Sequence, residues 1–426
     1  VTSASDASAV DAPRSVEDAP RSVELVEHAP ATRLVLPDAV GRALAASGIV
    51  DATPDPYTPG HWLLRAGSKV GAVAVTGPGG GEPVTVRITP KVPIVRLFFL
   101  LGYSLDPRRS WRDGEVEVAE HRDLLPALAH AVERLADRAL RQGLLQGYRA
   151  TEESALVVRG RIREAEQIRR RFGAMLPIEV AYDEFTTDIA ENRILRAAVE
   201  RLLRLPGIPR DVRRRLAHQR ARLTDVTAIM RGQPIPDWRP TRLNSRYHRA
   251  LRLARVILDG ASAEHGPGDL RIDGFLFDMN KLFEDFVTTA LRETFQGRGR
   301  GSGGHTARLQ DSHHLDEAAA IRMKPDLVLY GPDGTPCAVA DAKYKAERPG
   351  GYPDADLYQM LAYCTALGLR EGHLVYAKGN APHAAHQVRH AGIVIHQHAL
   401  DLDQEPVGLL MDIEEVAQRL ANTPRV

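Results

Sequence analysis

Lys-Pro-Asp-Leu-Val-Leu at 324–329 and Ala-Val-Ala-Asp-Ala-Lys-Tyr-Lys at 338–345 are two β-prone runs separated by Gly-Pro-Asp-Gly at 331–334. An Asp-Gly turn between apolar runs predicts a hairpin. Side chains alternate along a strand, so Asp341 and Lys343 share a face, and the hairpin can set Asp326 beside Asp341 on it. Two carboxylates and an ammonium then converge. Neighbouring carboxylates repel unless a cation neutralises them, and hard oxygen ligands with an open position suit Mg2+. Such an ion polarises a phosphate and lowers the pKa of a bound water, while Lys343 orients that water or stabilises charge developing on the phosphate oxygens. The pattern predicts phosphodiester hydrolysis.

The text on either side of the hairpin is mixed α/β. A helix over 278–294 carries the apolar stripe Leu282, Phe283, Phe286, Val287, Ala290 and Leu291, with Glu284 at its edge. From there Glu284 can look into a site at the end of the sheet. A second helix, 354–368, follows the hairpin, and strands are expected near 373–377 and 392–396. Gln359 and Tyr363, four apart, share a helix face that can border a DNA strand. Asp356 reads as an acid favoured by the helix N-terminus. His313, His314 and Asp316 read as a solvated linker rather than a metal site.

Upstream, Asp-Ala-Pro-Arg-Ser-Val-Glu occurs at 11–17 and again at 18–24, within an acidic, Pro/Ala-rich stretch over 1–30 that is expected to be disordered. Short β-prone runs separated by Gly and Pro then make residues 31–115 a small β-rich domain, closing on an apolar helix at 94–103. The Gly-rich stretch at 77–82 lacks the Lys and Ser/Thr of a phosphate loop and reads as a hairpin loop. Residues 116–270 read as mainly helical, with a short strand or turn at 158–162. The clearest helix is 124–147, where Leu128, Val132, Leu135 and Ala139 form one stripe. Arg242, Arg246, Arg249, Arg252 and Arg255 recur every three or four residues, which predicts a basic stripe on one helix face.

The 426 residues carry 56 Lys or Arg against 55 Asp or Glu, and that balance hides an asymmetry. Residues 159–255 hold 23 Arg and 11 acids, or +12, which suits a face that follows a nucleic-acid backbone. Only seven of the basic residues are Lys, and three of those fall between 324 and 345. A compact ammonium where guanidinium is otherwise the rule points to chemistry at Lys343. No apolar run approaches the roughly 18 to 20 residues of a membrane span. Two cysteines cannot make a disulfide framework or a zinc finger, and the first residues do not read as a secretory signal, so a reducing cytoplasm is the expected location.

Taken together, Glu, Pro-Asp, Asp-X-Lys and Gln-X-X-X-Tyr in this order resemble the RecB-like branch of the PD-(D/E)XK nucleases. The wider text resembles McrC, the nuclease subunit of McrBC-type modification-dependent (type IV) restriction systems. The stretches that carry the likeness are Thr-Pro-Lys-Val-Pro (89–93), Val-Arg-Gly-Arg-Ile (158–162), Glu-Asn-Arg-Ile-Leu (191–195), Asn-Lys-Leu-Phe-Glu-Asp-Phe-Val (280–287) and Asp-Leu-Tyr-Gln-Met-Leu-Ala-Tyr-Cys (356–364), together with the hairpin itself. The resemblance implies that Asp326 and Asp341, helped by the Ala342 carbonyl, bind Mg2+, for which Mn2+ can substitute. It implies Lys343 as the catalytic lysine, Glu284 as the helix acid, and Gln359 and Tyr363 as an auxiliary pair. It also implies a separate AAA+ GTPase partner, docked through the amino-terminal region, and a modified DNA target. The chain has no nucleotide-binding loop of its own. The expected architecture is a β-rich domain, an Arg-rich helical region that binds DNA, and a nuclease domain over 271–426. A stand-alone RecB-like nuclease and a non-cleaving assembly factor for an AAA+ motor are the other readings.

Overall fold

A computed structural model describes residues 22–76, 83–105, 123–205, 207–230, 232–259, 271–297, 304–346, 354–378 and 383–423. These fall into two compact units: the described residues up to 105 with 271–272 and those from 276 onward, and 123–259 with 273–275. The division differs from three successive domains, because the β-rich start and the α/β end belong to one unit. Aromatic packing and polar pairs join them: Phe99 and Tyr103 meet the Phe286 ring at 5.8 and 5.5 Å, and Arg96 pairs with Glu405 at 2.5 Å.

The first unit begins with Ser22–Val26 (β1), Thr32–Val35 (β2), the helix Asp38–Ser47 (α1), Val50–Pro54 (β3), His61–Ala66 (β4), Lys69–Thr76 (β5), Val84–Thr89 (β6) and the helix Ile94–Leu105 (α2). The strand β1 corrects the expectation of a disordered tail through residue 30. Val23 and Leu25 are buried while Ser22, Glu24 and Val26 face out, a period-2 pattern that pairs parallel to β6. Residues 1–21 and the Gly-rich 77–82 lie outside the described residues. β2, β4 and β3 form an antiparallel sheet.

The second unit holds the helix Leu124–Leu140 (α3), Gly147–Ala155 (β7), Arg161–Ile162 (β8), the helix Glu164–Arg171 (α4), Ile178–Thr186 (β9), and the helices Ala190–Arg204 (α5), Arg210–Arg222 (α6) and His248–Asp259 (α7). The α3 stripe is buried as its spacing predicts, with Leu128, Val132 and Ala139 fully covered. The helix stops at Leu140, short of 147, where Gly143 takes φ 89° and donates its N–H to the Leu140 carbonyl. The short strand or turn expected at 158–162 is present as β8, but where helix was expected on either side β7 and β9 join it in an antiparallel sheet. β7 reads Gly-Tyr-Arg-Ala-Thr-Glu-Glu-Ser-Ala and buries none of its residues, so no apolar alternation announces it. Asn192 of the Glu-Asn-Arg stretch is fully buried and donates to the carbonyls of Leu145 (2.8 Å) and Thr187 (2.7 Å), tying α5 to the chain that leads into β7 and out of β9.

The first unit resumes with Arg271–Asp278 (β10), whose first two and last three residues it contains, and the helix Met279–Gly297 (α8). Then come Thr306–Leu309 (β11), His313–His314 (β12), Arg322–Met323 (β13), Leu327–Tyr330 (β14), Pro336–Ala346 (β15), the helix Asp354–Leu367 (α9), Glu371–Lys378 (β16), His383–Gln387 (β17), Val394–Ala399 (β18) and the helix Pro406–Ala421 (α10). A six-stranded sheet runs β11-β14-β15-β16-β18-β17. The expected hairpin is present: β14 and β15 are antiparallel, with Leu327 opposite Ala340. β15 then runs parallel to β16 through the crossover helix α9. Gly372 lets α9 lie close on β16, since a Cβ there would sit 2.5 Å from the Met360 sulfur and 2.6 Å from that of Cys364. No described helix is long and apolar enough to cross a membrane.

Candidate active site

Leu327 faces Ala340, so the next residues outward, Asp326 and Asp341, fall together at the open end of the hairpin. Both are buried, at 8% and 3% exposure. Asp326 Oδ2 accepts the Ala342 N–H at 2.8 Å, which pins the carboxylate to the opposite strand. Lys343, two residues on from Asp341 and therefore on the same face, makes an ion pair with Asp341 Oδ2. Glu284 reaches the same rim from α8, whose stripe Leu282, Phe283, Phe286, Val287, Ala290 and Leu291 is wholly buried. A residue absent from the sequence reading completes the contact: Gln310 Nε2 donates to Glu284 Oε1 at 2.5 Å and to Asp326 Oδ1 at 2.9 Å. All four residues singled out from the sequence thus converge.

The electrostatics are those of a site short of positive charge. Burial, reinforced by the Glu284 charge, pushes Asp326 up to about 6. Burial and the charge of Asp326 likewise push Asp341 up to about 6, against the pull of Lys343. Burial raises Glu284 as well. For Lys343 burial works the other way, but the carboxylates of Asp341 and Asp326 outweigh it and its pKa is raised. One ammonium for three acids leaves room for a cation. Among the described residues no group of three or more His, Cys, Asp or Glu could by itself hold a metal ion. Two adjacent carboxylates are nonetheless the donor chemistry that Mg2+ takes, since it is bound through one or two carboxylates with water in its other positions.

Gln359 and Tyr363 share a face of α9 as expected, with Gln359 Nε2 donating to the Tyr363 hydroxyl at 2.9 Å. Burial and then the Asp341 charge push Tyr363 up to about 12, so the tyrosine senses the acid pair. Asp356 is more than a helix-terminal acid. It is buried, accepts from the Tyr376 hydroxyl at 3.1 Å, and its charge helps to raise Lys343.

Other expectations change. The five arginines do not decorate one helix, because α7 starts at His248. Asn244 shapes the preceding turn, accepting from the Thr241 N–H at 2.7 Å and contacting His248 Nε2 at 2.6 Å. Arg242 is exposed within that turn, and Arg246, in a 3-10 turn, donates to Gln142 Oε1 and the Gly143 carbonyl, each at 3.0 Å. Arg249, Arg252 and Arg255 remain on α7, the last paired with Asp259 at 2.9 Å. His313 and His314 lie in the short strand β12 rather than a loop, opposite β13. Asp316 accepts the Ile321 N–H at 2.7 Å and closes the turn between them. The stacked histidines of β16 to β18 also spend their nitrogens on one another, His373 Nδ1 to His398 Nε2 at 3.0 Å and His383 Nε2 to His396 Nδ1 at 3.1 Å.

The fold and the site together define an α/β protein with a buried acid pair and a lysine on adjoining strands. The family described as McrBC 5-methylcytosine restriction system component matches residues 64–377, most of the chain, and the chain belongs to that family. No curated relative matches it. Among solved structures it is similar to a chain of the refined half-complex from a tetradecameric assembly of Thermococcus gammatolerans McrB AAA+ hexamers with bound McrC. That match has 17% identity and a TM-score of 0.57, over 94% of this chain and 100% of the other. A second similarity is to a chain of the Thermococcus gammatolerans McrBC complex, at 20% identity and TM-score 0.38, over 64% and 88%.

Proposed function

We propose that this chain is the McrC-like, Mg2+-dependent endonuclease subunit of a restriction system and hydrolyses DNA phosphodiesters. The convergence of Glu284, Asp326, Asp341 and Lys343 at one sheet rim carries the reading. Asp326 and Asp341, with the Ala342 carbonyl, would hold the ion, and Mn2+ could take its place. When bound, Mg2+ supplies a Lewis acid and a water of lowered pKa. Lys343 is placed to stabilise charge on the phosphate oxygens, its own charge secured by Asp341. Glu284 supports Asp326 through their shared amide donor. Gln359 and Tyr363 border the DNA strand at the rim, and the arginines of α7 contribute to DNA binding. The partner is an AAA+ GTPase engaged through the amino-terminal region; that the matched Thermococcus assembly holds McrB AAA+ hexamers with bound McrC supports an AAA+ partner. The PD-(D/E)XK domain corresponds to residues 271–426, and the DNA mark to be recognised belongs to the partner.

The cation test needs no cleavage assay. Asp326 and Asp341 have folded pKa values above the ordinary 3.8, so the folded chain binds their protons more readily than the unfolded chain does. The stability this linkage gives is present at low pH and is lost as pH rises from about 4 through about 6. Mg2+ replaces those protons. At a concentration of 100 Kd it should return about 2.7 kcal/mol, so the melting temperature should rise by several degrees over an EDTA control at pH 8 and hardly at all at pH 5. No difference between Mg2+ and EDTA at pH 8 would count against the cation site.

The DNA path is tested by salt. Each lost phosphate contact flattens the slope of log K against log salt by about one unit. Replacing both Arg249 and Arg252 by Ala should lower it by about two. Arg246→Ala should instead loosen the turn that it holds at Gln142 and Gly143, and an unchanged slope in the double variant would remove α7 from the DNA path.

A further inference from the structure

Gln310 falls outside every sequence motif, yet its side chain touches two of the three acids at the rim. Its Nε2 donates to Glu284 Oε1 (2.5 Å) and to Asp326 Oδ1 (2.9 Å), and its backbone N–H donates to the Asp326 carbonyl (3.1 Å). A primary amide has two N–H hydrogens, so one group can serve both carboxylates at once. The residue sits just past the end of β11 in the left-handed region, at φ 51°. That conformation is disfavoured for any residue but glycine, and asparagine or aspartate tolerate it better than glutamine does. Closing the turn therefore does not call for glutamine. What glutamine adds is an amide on a side chain long enough to reach between Glu284 on α8 and Asp326 at the start of the hairpin.

We propose that Gln310 is a positioning residue for the cation: its amide holds Glu284 and Asp326 at a fixed spacing, so that the carboxylates are already arranged when a divalent ion arrives. The proposal rests on the reading of Asp326 and Asp341 as cation ligands. Without a donor between them, the two like-charged groups move apart, and Asp326 must be brought back to its place beside Asp341 as the ion binds. Groups that orient metal ligands in this way are worth about 10- to 100-fold in metal affinity. The backbone bond from Gln310 to the Asp326 carbonyl is retained in any variant except proline, so a substitution isolates the amide.

The experiment is a calorimetric titration of the full chain with Mn2+. Gln310→Gly removes the amide and relieves the backbone, and Gln310→Met keeps the bulk of the side chain but has no donor. Both variants should bind Mn2+ about tenfold or more weakly than the wild type, with metal-free melting temperatures near or above it. Asp341→Ala should lose the binding altogether. If the Gln310 variants bind as tightly as the wild type, or more tightly, while Asp341→Ala does not bind, the positioning role is overturned and the cation site stands. If Asp341→Ala binds like the wild type, the cation site itself is wrong and the proposal falls with it.

Discussion

Asp341→Asn is expected to stop DNA cleavage while leaving the fold standing. The carboxylate lies 3% exposed between Lys343 and Asp326, and an amide of the same shape fits the space but is a poor ligand for a hard cation. A metal ion that polarises a phosphoryl oxygen contributes several kcal/mol to transition-state stabilisation, and at 1.36 kcal/mol per decade its loss is about 10³-fold or more in rate. The measurement is cleavage of modified DNA by wild type and variant, each supplied with the AAA+ partner and Mg2+, with circular dichroism to check the fold. Equal cutting by the two proteins would eliminate nuclease chemistry at this rim and favour an assembly factor. Full wild-type cutting with no partner present would favour a stand-alone nuclease.

Lys343→Ala should cost about 10²- to 10³-fold in the chemical step, the range seen when one donor to a developing oxyanion is removed. DNA binding should change little, because the segment of net positive charge, +12, is 159–255 and does not include Lys343. Lys343→Arg should not restore the rate. A planar guanidinium is larger than the ammonium, and Lys343 is drawn in against Asp341, itself only 3% exposed. Single-turnover cleavage at saturating DNA separates the two effects. A Lys343→Arg variant at wild-type rate would mean that the site asks only for positive charge.

The parts that could be read from the residues were those with a period or a spacing. The hairpin showed in Pro-Asp, Asp-Gly and Asp-X-Lys, and strand alternation then placed Asp341 with Lys343. Glu284 was visible because an apolar stripe on α8 fixes its orientation, and Gln359 with Tyr363 because they lie four apart. What could not be read lacked either signal. β7 buries none of its residues, so its side chains show no apolar alternation. The arginine series had helical spacing, yet Asn244 folds residues 241–247 into a turn before the helix starts. Gln310 owes its place to a left-handed backbone just past an edge strand, which no pattern of hydrophobicity encodes. Asp356 looked like a helix-terminal acid because its burial against Tyr376 depends on a strand that comes later in the chain.

Strand parity has one more effect. Since Lys343 points to one side of β15, its neighbour Tyr344 points to the other, where its hydroxyl donates to Glu27 Oε1 at 2.7 Å, across 317 positions of chain. The same Glu27 oxygen takes the Lys91 N–H at 2.6 Å, and Glu27 is entirely enclosed. Burial and that carboxylate hold the Tyr344 phenol firmly protonated. The reactive edge is therefore tied from behind to an enclosed acid just after β1, and a tug on β1 or on the Thr-Pro-Lys corner is felt one peptide bond away from the lysine.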